Sequence, residues 1–558
     1  VPFVEISSLN DAATFAAEAA AAGEVALSLA GDGDARLLAL GVPGGEPRVW
    51  SMREWKTFPP ELAAALLSCR VVSHETRRNL RWLGMVFGLH LSHVFCTGSA
   101  ARLLACGGEP PPSLPEMAAR QGGWPAPPPE EEAWSDLFLA PGQVEAAAWP
   151  VRVLPALARA LEKLLTDALL GEIATLEMEL LPVVARMEAT GLGVDLPRLE
   201  ELWHVYRRQQ AELENQLREV LQAPRINVSS PKQLLAALQA RGLKISDTRD
   251  QTLSQHGQDP AVPLLQTFRS QEKLAQIAEG LRTATTRAGR IHASFDPLGT
   301  ETGRFSSDSP NLQNVPRGPL RSVFRAPTGR TLVTADYSQI ELRAVAVVAQ
   351  DRTMLQALAQ GEDLHRLTAS AILDKPPTDV TKGDRQLAKS VNFGLIYGQG
   401  AKGLVVYARQ KYGVDFSVEQ ALLFRDRFFS TYREIATWHK NAWKAAAGDV
   451  GEVRTALGRR RLLSPTASRW NRFTTIVNTP IQGGTADGLK AALVSLAAAL
   501  PQGAELVSTV HDEIVVECDA SQASTIEPLV REHMRSGMAR AFPQVPIEVE
   551  TRVSAAWG

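Results

Sequence analysis

The chain of 558 residues is 45% hydrophobic and 22% charged, with a formal net charge of −2. That length predicts three or four domains of ordinary soluble composition. No apolar run approaches the roughly 18 residues of a membrane span, and no signal peptide is visible. The four cysteines (Cys69, Cys96, Cys106, Cys518) form no CxxC pair, so a disulfide framework or a zinc site is not expected and a reducing compartment fits. A near-neutral total does not advertise a nucleic-acid binder, yet a groove needs only local positive charge. The chain begins Val1-Pro2-Phe3, which is expected of a processed, trimmed or cloned fragment.

Residues 1–150 are Ala-rich. Glu24–Ala30 and Arg36–Leu40 read as paired strands of an α/β sheet, and Gly31-Asp32-Gly33-Asp34 as a turn. The Pro-rich stretch from Gly107 to Glu132 reads as an extended surface excursion. Helical patterning begins near Leu154, and two long helices are expected at about 196–222 and 260–288. Between them, Asn227-Val228-Ser229-Ser230-Pro231-Lys232-Gln233 reads as a helix start. Ser230 would be its cap, Pro231 its first turn and Gln233 the far side of a capping box. Such an N-terminus, with Lys232, can bind phosphate. Arg269, Lys273, Arg282, Arg287 and Arg290 make the second helix locally basic, either as a solvated face or as a phosphate track.

The apolar run after Arg330 delivers Asp336 at its end, and Ile340, Leu342 and Val345 then follow at helical spacing. One such Asp reads equally well as a helix cap. Far downstream, Glu505–Glu517 reads as a hairpin with His511 and Asp512 at its tip. Two strands that each present an Asp at one sheet edge suit two divalent cations about 4 Å apart. Arg385, Lys389, Phe393 and Tyr397 recur every fourth residue. At about 100° per residue they form one broad stripe, cations first and aromatics last. That order suits a nucleoside triphosphate lying along the helix.

Asp336–Arg343 and Val510–Glu513 resemble motifs A and C of family A DNA polymerases, the DNA polymerase I type. Arg385–Gly398 resembles motif B, and Thr302–Pro316 the signature before the palm. The likeness is close from about Leu176 onward and weak before it. It implies an α/β multidomain fold: a right-hand polymerase with an antiparallel palm sheet and helical thumb and fingers, plus an N-terminal α/β exonuclease-like domain. The expected domains are 1–175 exonuclease-like, 176–290 thumb, 291–345 palm, 346–477 fingers and 478–558 palm again, with no 5′-nuclease domain in front. The implied activity is template-directed addition of dNTPs to a primer 3′-OH with two Mg²⁺ ions, Mn²⁺ being a substitute. Primer-template DNA and dNTPs would be the partners of a cytoplasmic monomer, in a bacterial or virus-infected cell or alternatively an organelle matrix.

The resemblance assigns Asp336, the Tyr337 carbonyl and Asp512 to the metals, with Glu513 accessory. It assigns Gln339, Glu341, His365, Arg385, Lys389, Phe393 and Tyr397 to the dNTP. Lys389 would neutralise the leaving pyrophosphate or also protonate it, and Glu341 would crowd a ribose 2′-hydroxyl. Phe393, lacking a hydroxyl, implies discrimination against dideoxynucleotides. Asn227, Ser229, Lys232, Arg304, Asn314, Asn478, Gln482 and His511 would contact DNA, Arg304 and Gln482 in the minor groove. Gly451–Arg461, with its three consecutive arginines, resembles a family segment near the template. Asp384 departs from the family, which often has a basic residue beside Arg385.

Aligned with the exonuclease carboxylates stand Ser28, Ala30, Asn79 and Ala148, so a structural, non-proofreading domain is expected. The rival is a shifted site built on Asp32, Asp34 and Glu75. For the whole chain the rivals are a single-subunit RNA polymerase and a catalytically inactive DNA-binding subunit.

Overall fold

The computed structural model describes residues 7–31, 36–53, 55–124, 126–127 and 141–558. Near the N-terminus lies a five-stranded sheet in the spatial order Arg48–Ser51, Leu37–Gly41, Glu24–Ala30, Arg70–Ser73, Val94–Cys96. Its central strand, Glu24–Ala30, runs antiparallel to Leu37–Gly41 and parallel to Arg70–Ser73. Leu37–Gly41 is buried along its whole length, as its unbroken apolar run requires of a strand covered on both faces. The helix Pro141–Asp167 packs against Glu24–Ala30, with Ala147 and Ala148 buried. The expected hairpin of the first two strands is present. Asp32 and Asp34 lie outside the described residues. Glu75 ends up on the surface, paired with Arg78 at 2.9 Å.

Helices Leu196–Val220 and Ala261–Ala284 pack along each other. Beyond them Leu217, Leu234, Leu238, Leu265 and Phe268 form a small separate core. The short helix Pro231–Ala240 starts there with Pro231 in its first turn, but Ser230 makes no side-chain cap. A tight turn, Ser230 N–H to the Asn227 carbonyl at 3.0 Å, brings the Asn227 N–H over the helix end. Gln233 Oε1 accepts that N–H at 3.0 Å instead of closing a capping box.

A second, four-stranded antiparallel sheet is ordered Ala504–Val510, Glu513–Asp519, Arg330–Tyr337, Val549–Ser554. Helix Ala523–Ala541 packs against three of these strands and also against helix Gly484–Ala499, whose Gly488 and the facing Gly537 allow close approach. Helices Ile340–Ala349, Leu364–Leu373, Lys382–Ile396, Ala401–Tyr412, Val418–Thr431 and Arg433–Ala445 follow the Asp336 strand.

Three expectations are corrected here. The stretch after Gly107 is not all extended: Ser113 and Glu116 close a capping box on helix Leu114–Gly122. The basic track on the second long helix is largely spent on structure. Arg269 bonds the Thr248 carbonyl and Asp250, Arg282 pairs with Glu279 and stacks on Trp203, and Arg290 pairs with Glu517 of the sheet. Only Lys273 and Arg287 of the five remain exposed. The arginine triplet is likewise tied into the scaffold. Arg459 is buried between Glu177 and Asp487, Arg460 bonds the Leu104 carbonyl and Arg461 pairs with Glu301. Apart from Glu279, one helical turn from Arg282, these partners are distant in sequence, so a local reading had no access to them.

Candidate active site

Asp336 lies one residue before the end of its strand, opposite Glu513 of the hairpin. The hairpin turns through His511 and Asp512, with His511 in the left-handed region at φ 57°. The Tyr337 N–H reaches the Asp512 carbonyl at 3.4 Å, so strand end and hairpin tip are stitched together. The two aspartates therefore converge. Burial, and then the neighbouring Asp336 carboxylate, push the Asp512 carboxyl up to about 7. Asp336 Oδ2 accepts from Arg317 at 3.0 Å, whereas Oδ1 is buried with no partner.

An orphaned buried carboxylate oxygen beside a second carboxylate is costly unless a cation or donor meets it. These residues thus fit a divalent metal. Among the described residues no group of three or more His, Cys, Asp or Glu gathers. The remaining ligands would be backbone, substrate and water oxygens, as Mg²⁺ prefers. Glu513 is committed elsewhere: Arg321 and the Trp557 indole N–H hold its two oxygens at 3.2 and 2.7 Å. Tyr337 directs its ring away, its hydroxyl donating to the Met534 carbonyl at 2.7 Å.

After Tyr337 the chain kinks. Gln339 has φ 51°, and helix Ile340–Ala349 begins behind it. This places Glu341 at a junction. Arg304 donates to its Oε1 at 2.5 Å and the Tyr397 hydroxyl to its Oε2. Burial, then the Glu341 carboxylate, raise the Tyr397 phenol well above its usual range, and Gln482 also bonds it. A cavity of about 230 Å³ lined by Arg304, Gln313, Glu341, His511 and Asp512, among others, opens beside this junction. The Tyr397–Glu341 contact fixes the aromatic end of the four-residue stripe against the corner that carries Asp336.

The stripe lies on helix Lys382–Ile396, with Tyr397 at its C-terminal cap. The unexpected Asp384 closes a capping box with Thr381 and pairs with Lys375 at 3.0 Å. Its acidity therefore serves the helix start and does not face a ligand. Arg385 is held by Asp363 at 2.6 Å. Asp363 also caps the next helix through the His365 N–H at 2.8 Å. His365 is 2% exposed and packs 6.0 Å from the Phe393 ring. Asn392 donates to its Nδ1 at 3.0 Å, which leaves the proton on Nε2. Burial, then Arg385, lower its pKa to about 4, so the ring is neutral at pH 7.

The residues expected on DNA divide into two groups. Arg304, Gln482 and His511 gather near the carboxylates. Asn478 precedes the π-turn Thr479–Gly483, and its Oδ1 is buried without a partner, as is Gln339 Oε1. Asn314 is exposed, its N–H donated to Asn311 Oδ1 at 3.2 Å. Asn227, Ser229 and Lys232 are exposed on the surface around the separate small core, where Ser229 donates to Glu272 at 2.6 Å. Sequence reasoning gave no role to Gln313, which clamps the hairpin through the Thr509 carbonyl and the His511 N–H at 3.1 and 2.9 Å. It also passed over Asp363 and Asn392. A capping pattern before Arg366 was the available signal for Asp363; none existed for the other two.

The family model for DNA polymerase family A matches residues 196–558. The chain belongs to DNA polymerase family A. That is a family of DNA-directed DNA polymerases, which generally use divalent metal ions. DNA polymerase I of Aquifex aeolicus is 37% identical over 399 residues, covering 69% of this chain and 67% of that protein. The thermostable DNA polymerase I of Thermus filiformis is 34% identical over 418 residues, covering 70% of this chain and 49% of that one. This family A chain thus spans two thirds of the first relative and about half of the second. Among solved structures, the POL domain of Pol1 from M. smegmatis, in complex with a DNA primer-template and dNTP, is similar at TM-score 0.84 and 28% identity over 99% of both chains. No helix among the described residues is long and apolar enough to cross a membrane.

Proposed function

We propose that the chain extends a primer 3′-hydroxyl with deoxynucleoside triphosphates on a DNA template, without proofreading. The observation that carries this is the convergence of Asp336 and Asp512 at the aromatic end of the Arg385–Tyr397 stripe, joined to it through Glu341. In this reading residues 1–175 are an exonuclease-like domain, 176–290 the thumb, 346–477 the fingers, and 291–345 with 478–558 the palm. Asp336 and Asp512, with the Tyr337 carbonyl, would hold two Mg²⁺ ions. Bound there, Mg²⁺ supplies Lewis acidity to the primer hydroxyl and the phosphate oxygens.

The protein's own contribution is positioning and charge. Arg385, oriented by Asp363, and Lys389 offer cations to the triphosphate, and His365 offers a neutral Nε2–H donor. Lys389 would neutralise the leaving pyrophosphate and give it a proton. Phe393 packs on sugar and base. Glu341 fills the space a ribose 2′-hydroxyl would need. Arg304 and Gln482 meet the minor-groove acceptor that every correct pair presents at a similar position.

Loss of proofreading is supported by side chains on the N-terminal sheet and on the helices that flank it. Asn79 is buried and spends its amide on Ser73 at 2.8 Å, Ala148 is buried and Ser28 carries no charge. The test is primer extension with dNTPs and Mg²⁺. Asp336→Asn and Asp512→Asn should each cost about three orders of magnitude or more while primer-template binding persists. Full extension by either variant would refute the site. Shortening of the primer 3′ end by the wild type without nucleotides, abolished by Glu75→Ala, would refute the non-proofreading reading.

A further inference from the structure

The helices around the N-terminal sheet grip one short hairpin, and that hairpin carries Arg304. Its strands Ser294–Asp296 and Ser306–Asp308 run antiparallel, and Arg304 stands just before the return strand. From helix Thr76–Phe87, Arg81 donates to the His292 carbonyl at 2.9 Å and Arg77 to Ser294 Oγ at 3.1 Å. From helix Thr97–Ala105, Arg102 clasps both Asp296 oxygens at 2.9 and 2.8 Å and the Leu298 carbonyl at 2.6 Å. Cys106, at the cap of that helix, donates its thiol to the Glu301 carbonyl at 3.2 Å. A planar guanidinium on a carboxylate fixes orientation as well as distance.

Packing alone does not locate the loop 297–304. A cavity of about 240 Å³ lies between it and the end of helix Thr97–Ala105, lined by Leu103, Cys106, Leu298, Thr300 and Arg459 among others. Polar contacts therefore set the loop's position. Within it, Thr300 Oγ1 accepts the Arg304 N–H at 3.0 Å. Gly303, at φ 79°, lies against Arg459, where a Cβ would stand 2.5 Å from Nε. The loop is thus tightly turned, and a shift at Asp296 or Leu298 is passed on to Arg304. At the far end Arg304 donates to Glu341 Oε1 at 2.5 Å and lines the same cavity as Asp512.

We propose that Arg102 is a positioning residue for Arg304: its clasp on Asp296 and Leu298 holds the hairpin at the depth from which Arg304 meets the minor-groove acceptor of the primer terminus. The proposal rests on the polymerase reading above. The N-terminal part of the chain, without nuclease chemistry, thereby still acts on synthesis, because the aim of the reading arginine is set from behind the hairpin. Positive charge alone does not suffice. The clasp needs a flat fork that meets two carboxylate oxygens and a carbonyl together, which a lysine ammonium does not reproduce. A misplacement of about 1 Å at a reacting centre is enough to cost a large factor in rate.

Hydrogen exchange on the free protein and single-nucleotide extension test this together, on the whole chain. Arg102→Ala, Arg102→Lys and Arg304→Ala are compared with wild type and with Arg70→Ala. The last removes the pairs of Arg70 with Glu24 and Glu162 and controls for plain loss of stability around the N-terminal sheet. Amides of the loop 297–304 should exchange about tenfold faster in Arg102→Ala and unchanged in Arg70→Ala. Extension is measured from primers ending in guanine or in an analogue with C–H in place of the minor-groove nitrogen. The wild type should slow by about tenfold or more on the analogue, the worth of a hydrogen bond to a charged donor. Arg304→Ala should be slow on both primers alike. Arg102→Ala should bring the ratio of the two rates to within about threefold of unity, and Arg102→Lys should restore only part of it. An Arg102→Ala protein that keeps the wild-type ratio, whatever its melting temperature, overturns the proposal, as does an equal loss of the ratio in Arg70→Ala. So does a wild type that extends both primers equally well. A wild type that extends neither indicts the polymerase reading instead, and the exchange result then decides by itself whether Arg102 holds the hairpin.

Discussion

Removing Glu177 tests the physical account of how the site is held. Its carboxylate is 1% exposed, and one oxygen, Oε1, accepts from both Arg459 and Lys490. Arg459 has a second partner in Asp487, itself bonded by Thr455 at 2.7 Å. Among the described residues Lys490 otherwise bonds the Pro297 carbonyl at 2.7 Å and lies 5.8 Å over the Phe305 ring. In Glu177→Ala, Lys490, whose pKa burial already lowers to about 8, loses the carboxylate that favours its charge and must stay buried unpaired or give up its proton, with a cavity beside it. Breaking a buried pair by deleting one partner costs about 3–5 kcal/mol. At the lower sensitivity of a large domain, about 2 °C per kcal/mol, the melting temperature should fall by about 6–10 °C. Glu177→Ala with Lys490→Met removes both charges and should recover most of that loss. Scanning calorimetry on the two single variants, the double variant and wild type gives the coupling. A Glu177→Ala melting temperature within a degree of wild type, or additive effects in the double variant, would refute the claim that this network binds helix Gly171–Thr190 to helix Gly484–Ala499 behind the site.

Glu341→Ala should raise ribonucleotide incorporation relative to dNTPs, measured by competition on one template; an unchanged ratio rejects the steric gate. Lys389→Arg keeps the charge and changes the proton donor, so kcat should fall with an altered pH–rate profile; an unaltered rate and profile reject the acid role. His365 titrates near 6.5 when unfolded and about 4 when folded, so the unfolded chain binds more protons between those values. Stability supplied by the neutral ring is complete above about pH 6.5 and is lost as pH falls toward 4, by about 3 kcal/mol at 1.36 kcal/mol per pH unit. Urea unfolding across that range should show the slope in wild type and less of it in His365→Gln; equal slopes would mean that the buried ring does not govern it.

Local pattern was enough to read the strand ending in Asp336, the hairpin tip at Asp512 and the stripe Arg385–Tyr397. Each depends on short-range periodicity and on residue types whose chemistry travels with them. The capping box at Ser230 failed on the same scale, because the turn at Asn227, six residues back, captured Gln233. Arg269, Arg290 and Arg459 mark the limit. A cation's role depends on which acid folding brings to it, and Asp250, Glu517, Glu177 and Asp487 lie from 19 to 282 residues away. The clasp of Arg102 on Asp296 was illegible for the same reason, since residues 194 positions apart meet only when the N-terminal helices pack beside the hairpin. Which residues make up the proposed site was therefore legible in the chain. Which charges are spent on the scaffold, and which reach across to a neighbouring hairpin, was decided by packing between segments that sequence distance keeps apart.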